Sequence, residues 1–423
     1  MNQKKSIAII VQRYGSDVNG GAEVLARMIA EKLVSQYDVT VLTSCALDYQ
    51  TWEPVFVPGD SDEGGVHIKR FTNFKRSPRR VQRFYERKLS GRTWGQKIGR
   101  WLNEPTWWHA VFPQSTITHQ DNLAWLQAQG PCMPELLSYL KQNKDNYSAF
   151  IFFTALYYPT ALGILEVAGK SILIPTMHDE RASYFPIYQQ VMQSAEWLFF
   201  NTGVEQRLSE RLFSIENNKK DIMSVGIEAD DTAVDLLVPA KFNITQPYLI
   251  YVGRVDKAKG CDVLIEHFTR FAGSHAARLQ LVMVGKSSME KSAHPDVLYT
   301  GFVSDAEKIQ LMKQAQALVV PSLYESLSLV LLESFACKVP VIANAHCAVL
   351  KEHIDKSRGG WLFDSYDGFA KILTEVAAHT RENQQKGEAG HQYVINNYSW
   401  GAVMNKFDRA IDDIATKRSI TIC

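Results

Sequence analysis

Residues 319–344, VVPSLYESLSLVLLESFACKVPVIAN, constrain the fold more than any other stretch of this chain. Residues 317–320 and 339–343 are apolar runs too short, and too closely bounded by proline, to be helices, and they read as buried strands. Between them Ser326 can cap a helix over about 327–337, giving strand, loop, helix and strand in order. Two carboxylates mark the unit. Glu325 lies on the loop feeding the helix N-terminus, where free N–H groups and partial positive charge make a natural seat for phosphate. Glu333 lies eight residues further on. Its helical neighbours three and four positions away are Leu329, Val330, Ala336 and Cys337, with no Lys or Arg among them. Such a carboxylate either rides the wet edge of its helix or is satisfied by a ligand, and the vicinal hydroxyls of a ribose would serve.

The same α/β alternation runs through the chain. Residues 6–11 and 39–42 read as strands, with an amphipathic helix over 21–35, and after 67–71 the regular rhythm breaks. Residues 150–153, 171–174 and 197–200 are further buried strands among helices at 134–143, 159–168 and 186–194, with another from about 204. Residues 228–247 lack periodicity and carry two prolines, so the interdomain linker falls there. A second series of strands follows at 248–253, 279–285 and 297–302, and Val403, Met404, Phe407, Ile411 and Ile414 line one face of a terminal helix. At 423 residues the chain is long enough for two domains with substantial cores. The expected division is an N-terminal domain over 1–228, with an insertion at about 70–130, a second domain over 229–400, and a closing helix over 401–423.

Composition excludes several classes of function. A net charge of +1 gives no global pull toward nucleic acid, and no apolar run approaches the length of a membrane-spanning helix. The first apolar run, residues 7–11, has no small-residue cleavage site after it and reads as a strand, not a signal peptide. Six cysteines without a CxxC fit reduced thiols and a cytoplasmic setting.

Three loops carry candidate chemistry. In QRYGSDVNGGAE, Gly20 and Gly21 at a helix start let backbone approach a phosphate or sugar, or else serve only a turn. The loop is not GxGxxG, and the next strand ends in Thr43-Ser44 with no acid for a ribose, which argues against a nicotinamide dehydrogenase. In GRVDKAKG, Gly253 permits close approach and Arg254 and Lys259 bring cations to the loop leaving a strand. His178, in PTMHDE, also follows the end of a strand, where open α/β sheets bind ligands, and has no partner at metal-ligand spacing. Asp60-Ser61-Asp62 lies in a glycine-rich turn, so no metal site is expected there.

Between Lys69 and Trp101 stand twelve Lys or Arg and one acid, Glu86, interleaved with aromatics. A solvated helical face, a surface for an anionic membrane or lipid-linked phosphate, and nucleic-acid binding are the competing readings. Nothing else in the chain supports the last.

The sequence Glu325-x7-Glu333 followed by Pro340-Val341-Ile342 resembles the signature of the family-4 retaining glycosyltransferases. The resemblance covers most of the chain outside residues 70–130. It implies two Rossmann-like domains facing a central cleft, the GT-B fold, with the C-terminal helix crossing back to the first domain. It further implies that Glu325 faces hydroxyls of the donor sugar, that Glu333 holds the nucleotide ribose, and that Arg254 and Lys259 hold the diphosphate. By the same resemblance Ser326, Leu327 and Ser328 offer amides to the leaving group, and Gly285 and Val303 face the base. His178 lies over the donor sugar's 6-hydroxyl, and Gly20 and Gly21 belong to a loop closing over donor and acceptor. No cofactor is implied beyond the nucleotide-diphosphate sugar as co-substrate. The implied partners are that donor and a glycan or lipid-linked acceptor, with a peripheral anionic membrane contact and no nucleic acid. The setting is bacterial surface polysaccharide assembly at the inner face of the membrane. A nucleotide-sugar epimerase, a sugar phosphorylase or a non-catalytic sugar- or membrane-binding relative are the rival readings. One departure stands at Lys338, where the family has the glycine whose left-handed backbone ends the helix.

Overall fold

A computed structural model describes residues 4–18, 20–89, 118–228, 232–274, 279–378 and 381–421. The chain divides into two compact units, Met1–Met223 together with Met404–Cys423, and Ser224–Val403.

The first unit is built on strands β1 (Ser6–Ile10), β2 (Asp38–Ser44), β3 (Gly59–Glu63), β4 (Val66–Phe71), β5 (Ala149–Phe153), β6 (Ser171–Ile174), β7 (Trp197–Phe200) and β8 (Lys219–Ile222). They form one sheet in the order β3-β4-β2-β1-β5-β6-β7-β8. Every pairing is parallel except β3 with β4. β5 reads AFIFF with all five residues buried, because a parallel strand covered on both faces needs an uninterrupted apolar run. Its helices are α1 (Gly21–Leu33), α2 (Arg79–Leu89), α3 (His119–Gln129), α4 (Pro134–Asn143), α5 (Tyr158–Glu166), α6 (Ile187–Ser194) and α7 (Gly203–Leu212).

The second unit holds β9 (Tyr248–Val252), β10 (Gln280–Val284), β11 (Val297–Gly301), β12 (Ala317–Val320), β13 (Val341–Asn344) and β14 (Gly360–Phe363). These form a parallel sheet in the order β11-β10-β9-β12-β13-β14. Its helices are α8 (Leu237–Lys241), α9 (Cys261–Ser274), α10 (Asp305–Lys313), α11 (Leu329–Ala336), α12 (Ala348–Ser357), α13 (Tyr366–Ala377) and α14 (Arg381–Asn397). The last helix, α15 (Trp400–Thr421), belongs to the first unit from Met404 onward. There Phe407 meets Phe199 edge-on at 5.2 Å, Asp408 accepts from the Tyr37 hydroxyl at 2.8 Å, and Asp413 accepts from Trp197 Nε1 at 2.9 Å.

Two expectations need correction. Asp60-Ser61-Asp62 is not a turn but strand β3, which pairs antiparallel with β4. The turn is the next two residues, Gly64 at φ 61° and Gly65 at φ 80°, the positive angles a two-residue hairpin demands. Asp60 is held by Lys69 at 2.9 Å and by His67 at 3.1 Å. The helix after Glu325 starts at Leu329, and Ser328, not Ser326, stands at its N-cap with φ 64° and no side-chain capping bond. At the other end Lys338 takes φ 61°, the left-handed conformation expected of a glycine there. The five cysteines among the described residues, Cys45, Cys132, Cys261, Cys337 and Cys347, are free thiols.

The basic stretch is less uniform than its sequence suggests. Lys69 is spent on Asp60, and Lys75 on Glu53 at 2.7 Å. Arg70 lies over the Phe56 ring and donates to the Tyr14 carbonyl at 3.0 Å. The single acid, Glu86, meets Arg181 at 3.6 Å. Arg92, Trp94, Lys97, Arg100 and Trp101 lie outside the described residues.

Candidate functional site

In the second sheet the chain runs from β9 outward to β10 and β11, then returns to place β12 on the other side of β9. The loops leaving β9 and β12 therefore diverge at a topological switch point, the place where open α/β sheets bind ligands. Arg254 and Lys259 lie on the first of these loops and Glu325 to Ser328 on the second.

The β9 loop is pinned by Asp256. Its carboxylate accepts from the Lys259 amide at 2.9 Å and pairs with Arg254 Nε at 3.1 Å. Gly260, at φ 74°, brings this loop against the exit of β12, where a Cβ would lie 2.7 Å from the Pro321 carbonyl oxygen. That approach lets Lys259 Nζ reach Glu325 Oε1 at 2.6 Å. The structure thus joins two candidates that are 66 residues apart in sequence. Gly253 and Gly285 are equally close. A Cβ on Gly285 would lie 2.0 Å from the Gly253 carbonyl oxygen, so the ends of β9 and β10 meet backbone to backbone. Val303 is buried just beyond β11, whereas the neighbouring Phe302 is exposed.

The β12 loop ends at the N-terminus of α11, where the Leu331 and Leu332 amides donate to the Ser328 carbonyl at 3.1 and 3.4 Å, and the Leu329 and Val330 amides have no partner within the helix. The Ser328 hydroxyl is buried and bonds to none of the described residues. The Leu327 carbonyl accepts from His353 Nε2 of α12 at 2.9 Å. His353 Nδ1 in turn lies 3.2 Å from the Tyr393 hydroxyl, so a buried imidazole ties the candidate loop to α14. Sequence reasoning missed His353, which stands on α12 without any motif around it.

Burial pushes the His353 imidazole down to about 4, against an ordinary 6.5. Between these values the unfolded chain binds more protons than the folded one, so stability falls as pH drops from about 6.5 to about 4. Urea unfolding across that range should show this fall, and His353→Gln should flatten it. Equal slopes in the two proteins would take His353 out of the account.

Glu333 is not without a cation, contrary to expectation. Lys308 of α10 donates to its Oε1 at 2.9 Å and meets Asp305 at 3.3 Å. Burial works against the Lys308 charge, but Glu333 and Asp305 outweigh it and hold the ammonium above its ordinary pKa. The helix-neighbour rule could not find this partner, because it comes from a different helix 25 residues earlier.

Gly20, Gly21 and His178 belong to the first unit. Gly20 takes φ 152°, and a Cβ there would lie 2.2 Å from Glu23 Oε2. Glu23 is buried with Arg13, whose Nε donates to it at 3.0 Å while Nη1 donates to the Leu47 carbonyl at 2.8 Å. Gly21 opens α1. His178 lies beyond β6 with Nε2 3.3 Å from Glu180 Oε1. Its loop is held from beneath by Glu205, whose two oxygens accept from the Met177 and Asn201 amides at 2.8 Å each. Burial raises the Glu205 carboxyl to about 7, against the pull of those bonds. Arg13 and Glu23 were not singled out beforehand, although Glu23 stands in the GGAE motif itself.

Residues 238–413 match the model of the glycosyl transferases group 1 family. Those residues are similar to a group 1 glycosyl transferase domain. The matched stretch contains every second-unit candidate described above. A D-inositol 3-phosphate glycosyltransferase from Kineococcus radiotolerans is 27% identical over 54% of this chain, which spans 61% of that relative's length. Among solved structures, sucrose-phosphate synthase from Thermosynechococcus elongatus superposes with a TM-score of 0.68 over 98% of this chain and 100% of its own, at 15% identity. WaaG, a glycosyltransferase involved in lipopolysaccharide biosynthesis, reaches a TM-score of 0.64 over 96% of this chain and 99% of its own, again at 15% identity. At that identity the likeness is one of fold, and the fold is GT-B.

Proposed function

We propose that the chain is a retaining glycosyltransferase that moves a hexosyl group from a nucleotide-diphosphate sugar to a glycan or lipid-linked acceptor. The second unit would bind the donor and the first serve the acceptor. The observation that carries this reading is the Lys259–Glu325 pair at the sheet's switch point, with Arg254 on the same loop. Departure of a nucleoside diphosphate needs positive charge, and Arg254, Lys259 and the first-turn amides of α11 supply it in a preorganised form. Glu325 orients Lys259 and faces the donor sugar. Glu333, held by Lys308, receives the ribose hydroxyls. As the resemblance implies, the leaving phosphate would take the acceptor's proton and the anomeric configuration would be kept. NMR of the product decides this, since inversion would remove the mechanism. Nucleotide-sugar turnover without any acceptor would favour an epimerase instead.

Glu333→Gln is expected to weaken binding of the free nucleoside diphosphate by about 1.5–3 kcal/mol, the loss of a charge-assisted hydrogen bond, with the fold intact. Calorimetry with UDP, GDP and ADP measures it. Unchanged affinity would sink the ribose assignment.

Surface polysaccharide assembly at the inner face of the cell membrane is the setting we propose, in keeping with the role given for WaaG. Arg80, Arg83 and Phe84 are exposed on one face of α2. Each such cation near an anionic leaflet contributes roughly 1 kcal/mol, so the attachment would be reversible and salt-sensitive. Sedimentation with vesicles, with and without anionic lipid, tests it; equal and negligible binding in both would reduce this face to ordinary surface.

A further inference from the structure

The first unit contains a cavity of about 590 Å³ where residues 49–53, beyond β2, meet residues 75–82 leading into α2. Its size suits a small organic ligand. Its walls are fixed from below. Trp52 is fully buried and donates from Nε1 to the Gln129 carbonyl at 2.8 Å, and Asn73 donates to the Trp52 carbonyl at 2.8 Å. The Arg76 amide donates to the Thr51 carbonyl at 2.7 Å, closing one strand of the wall on the other.

The charge around this cavity is unbalanced. Lys75, Arg76 and Arg79 line it, with Glu53 as the acid. Glu53 is engaged by Lys75, in an exposed pair that a competing anion can exchange. Arg76 is the decisive group. Its Nη1 and Nη2 donate to the Tyr49 carbonyl at 3.2 Å and to Gln129 Oε1 at 2.9 Å, both neutral acceptors. Its Nε is buried and bonds to none of the described residues. No described carboxylate forms an ion pair with Arg76 or Arg79. Asp48 is the acid nearest in influence, but its Oδ1 is taken by the Gln50 and Thr51 amides at 2.9 Å each. A largely buried guanidinium held only by neutral oxygens is an incomplete arrangement, and burial accordingly works against its charge. An anion in the cavity completes it. The rest of the lining is polar, not apolar: Ser77 brings a hydroxyl, and Gln82, whose Nε2 donates to the Ser77 and Ala128 carbonyls at 3.0 and 3.2 Å, brings Oε1 as an acceptor for a sugar hydroxyl.

We infer that this cavity binds the phosphate of a phosphorylated sugar, with Arg76 and Arg79 as its cationic contacts. That this sugar is the acceptor rests on the glycosyltransferase reading above; the binding itself does not.

The test is calorimetry on the full chain with glucose 6-phosphate, inorganic phosphate, glucose and UDP as probes. Glucose 6-phosphate and inorganic phosphate are expected to bind in a salt-sensitive way and glucose not to bind. Arg79→Gln removes an exposed group that holds no other residue, so it should fold normally and weaken both phosphate probes tenfold or more. Arg76→Gln should do the same if it folds, and Arg79→Gln decides if it does not. UDP affinity should be unchanged in both variants, whereas Glu333→Gln should alter UDP alone, so the two readings fail separately. Absence of phosphate binding by the wild type would overturn the proposal, as would binding that survives Arg79→Gln. Binding confined to phosphatidylglycerol vesicles, lost in Arg79→Gln but not in Arg80→Ala/Arg83→Ala, would also overturn it and make the cavity a lipid contact.

Discussion

Replacing Arg254 or Lys259 by alanine is expected to lower kcat for sugar transfer by about a hundredfold or more, the effect of deleting one preorganised donor to a developing negative charge. The two substitutions differ in side effects. Lys259→Ala leaves Glu325, only 15% exposed at its side chain, without the ammonium 2.6 Å away. Its loss should therefore disturb donor binding as well as turnover. Arg254 is held by Asp256 at 3.1 Å, so Arg254→Ala should fall mainly on kcat. Steady-state kinetics with the donor varied separates the two outcomes. A change confined to acceptor KM would move both residues out of the donor site.

The largest structural effect is expected from Phe335→Ala, which should destabilise the second unit by about 3–5 kcal/mol and lower its melting midpoint on the order of 10 °C. Phe335 is fully buried on α11, next to the last residue of the helix that carries Glu333. Two glycines make room for its ring. A Cβ at Gly390 would lie 2.3 Å from Phe335 Cδ1, and one at Gly359 would lie 2.6 Å from Cε1. Tyr393 meets the ring edge-on at 6.4 Å. Neighbours this close cannot collapse far into the space left by truncation, so the cavity would persist. Calorimetric melting measures the loss, and a shift of only a degree or two would mean that α14 does not hold α11 through this ring.

The sheets were legible because their chemistry is local. A run such as AFIFF or ALVV is too short for a helix and reads as a strand buried on both faces. Glu325 and Glu333 were legible for a related reason: their spacing, and the apolar stripe around Glu333, lie within one helix and its leading loop. β3 was misread because Gly-rich acidic sequence favours turns, and only its pairing with β4, where Asp60 finds Lys69 and His67, makes it a strand.

The sequence by itself determined where charge and apolar surface sit along the chain, and thereby the strand–helix alternation and the two carboxylates. Only the tertiary structure decided which groups neutralise which. Lys308 reaches Glu333, Lys259 reaches Glu325 and His353 reaches Leu327 from elements 25, 66 and 26 residues away. Such distances along the chain are closed by strand order and by backbone approaches like that of Gly260 to Pro321, which no periodicity or propensity encodes. Arg76 is the sharpest case. As one of twelve cations in a run it resembled solvated surface, and burial against neutral oxygens is what sets it apart.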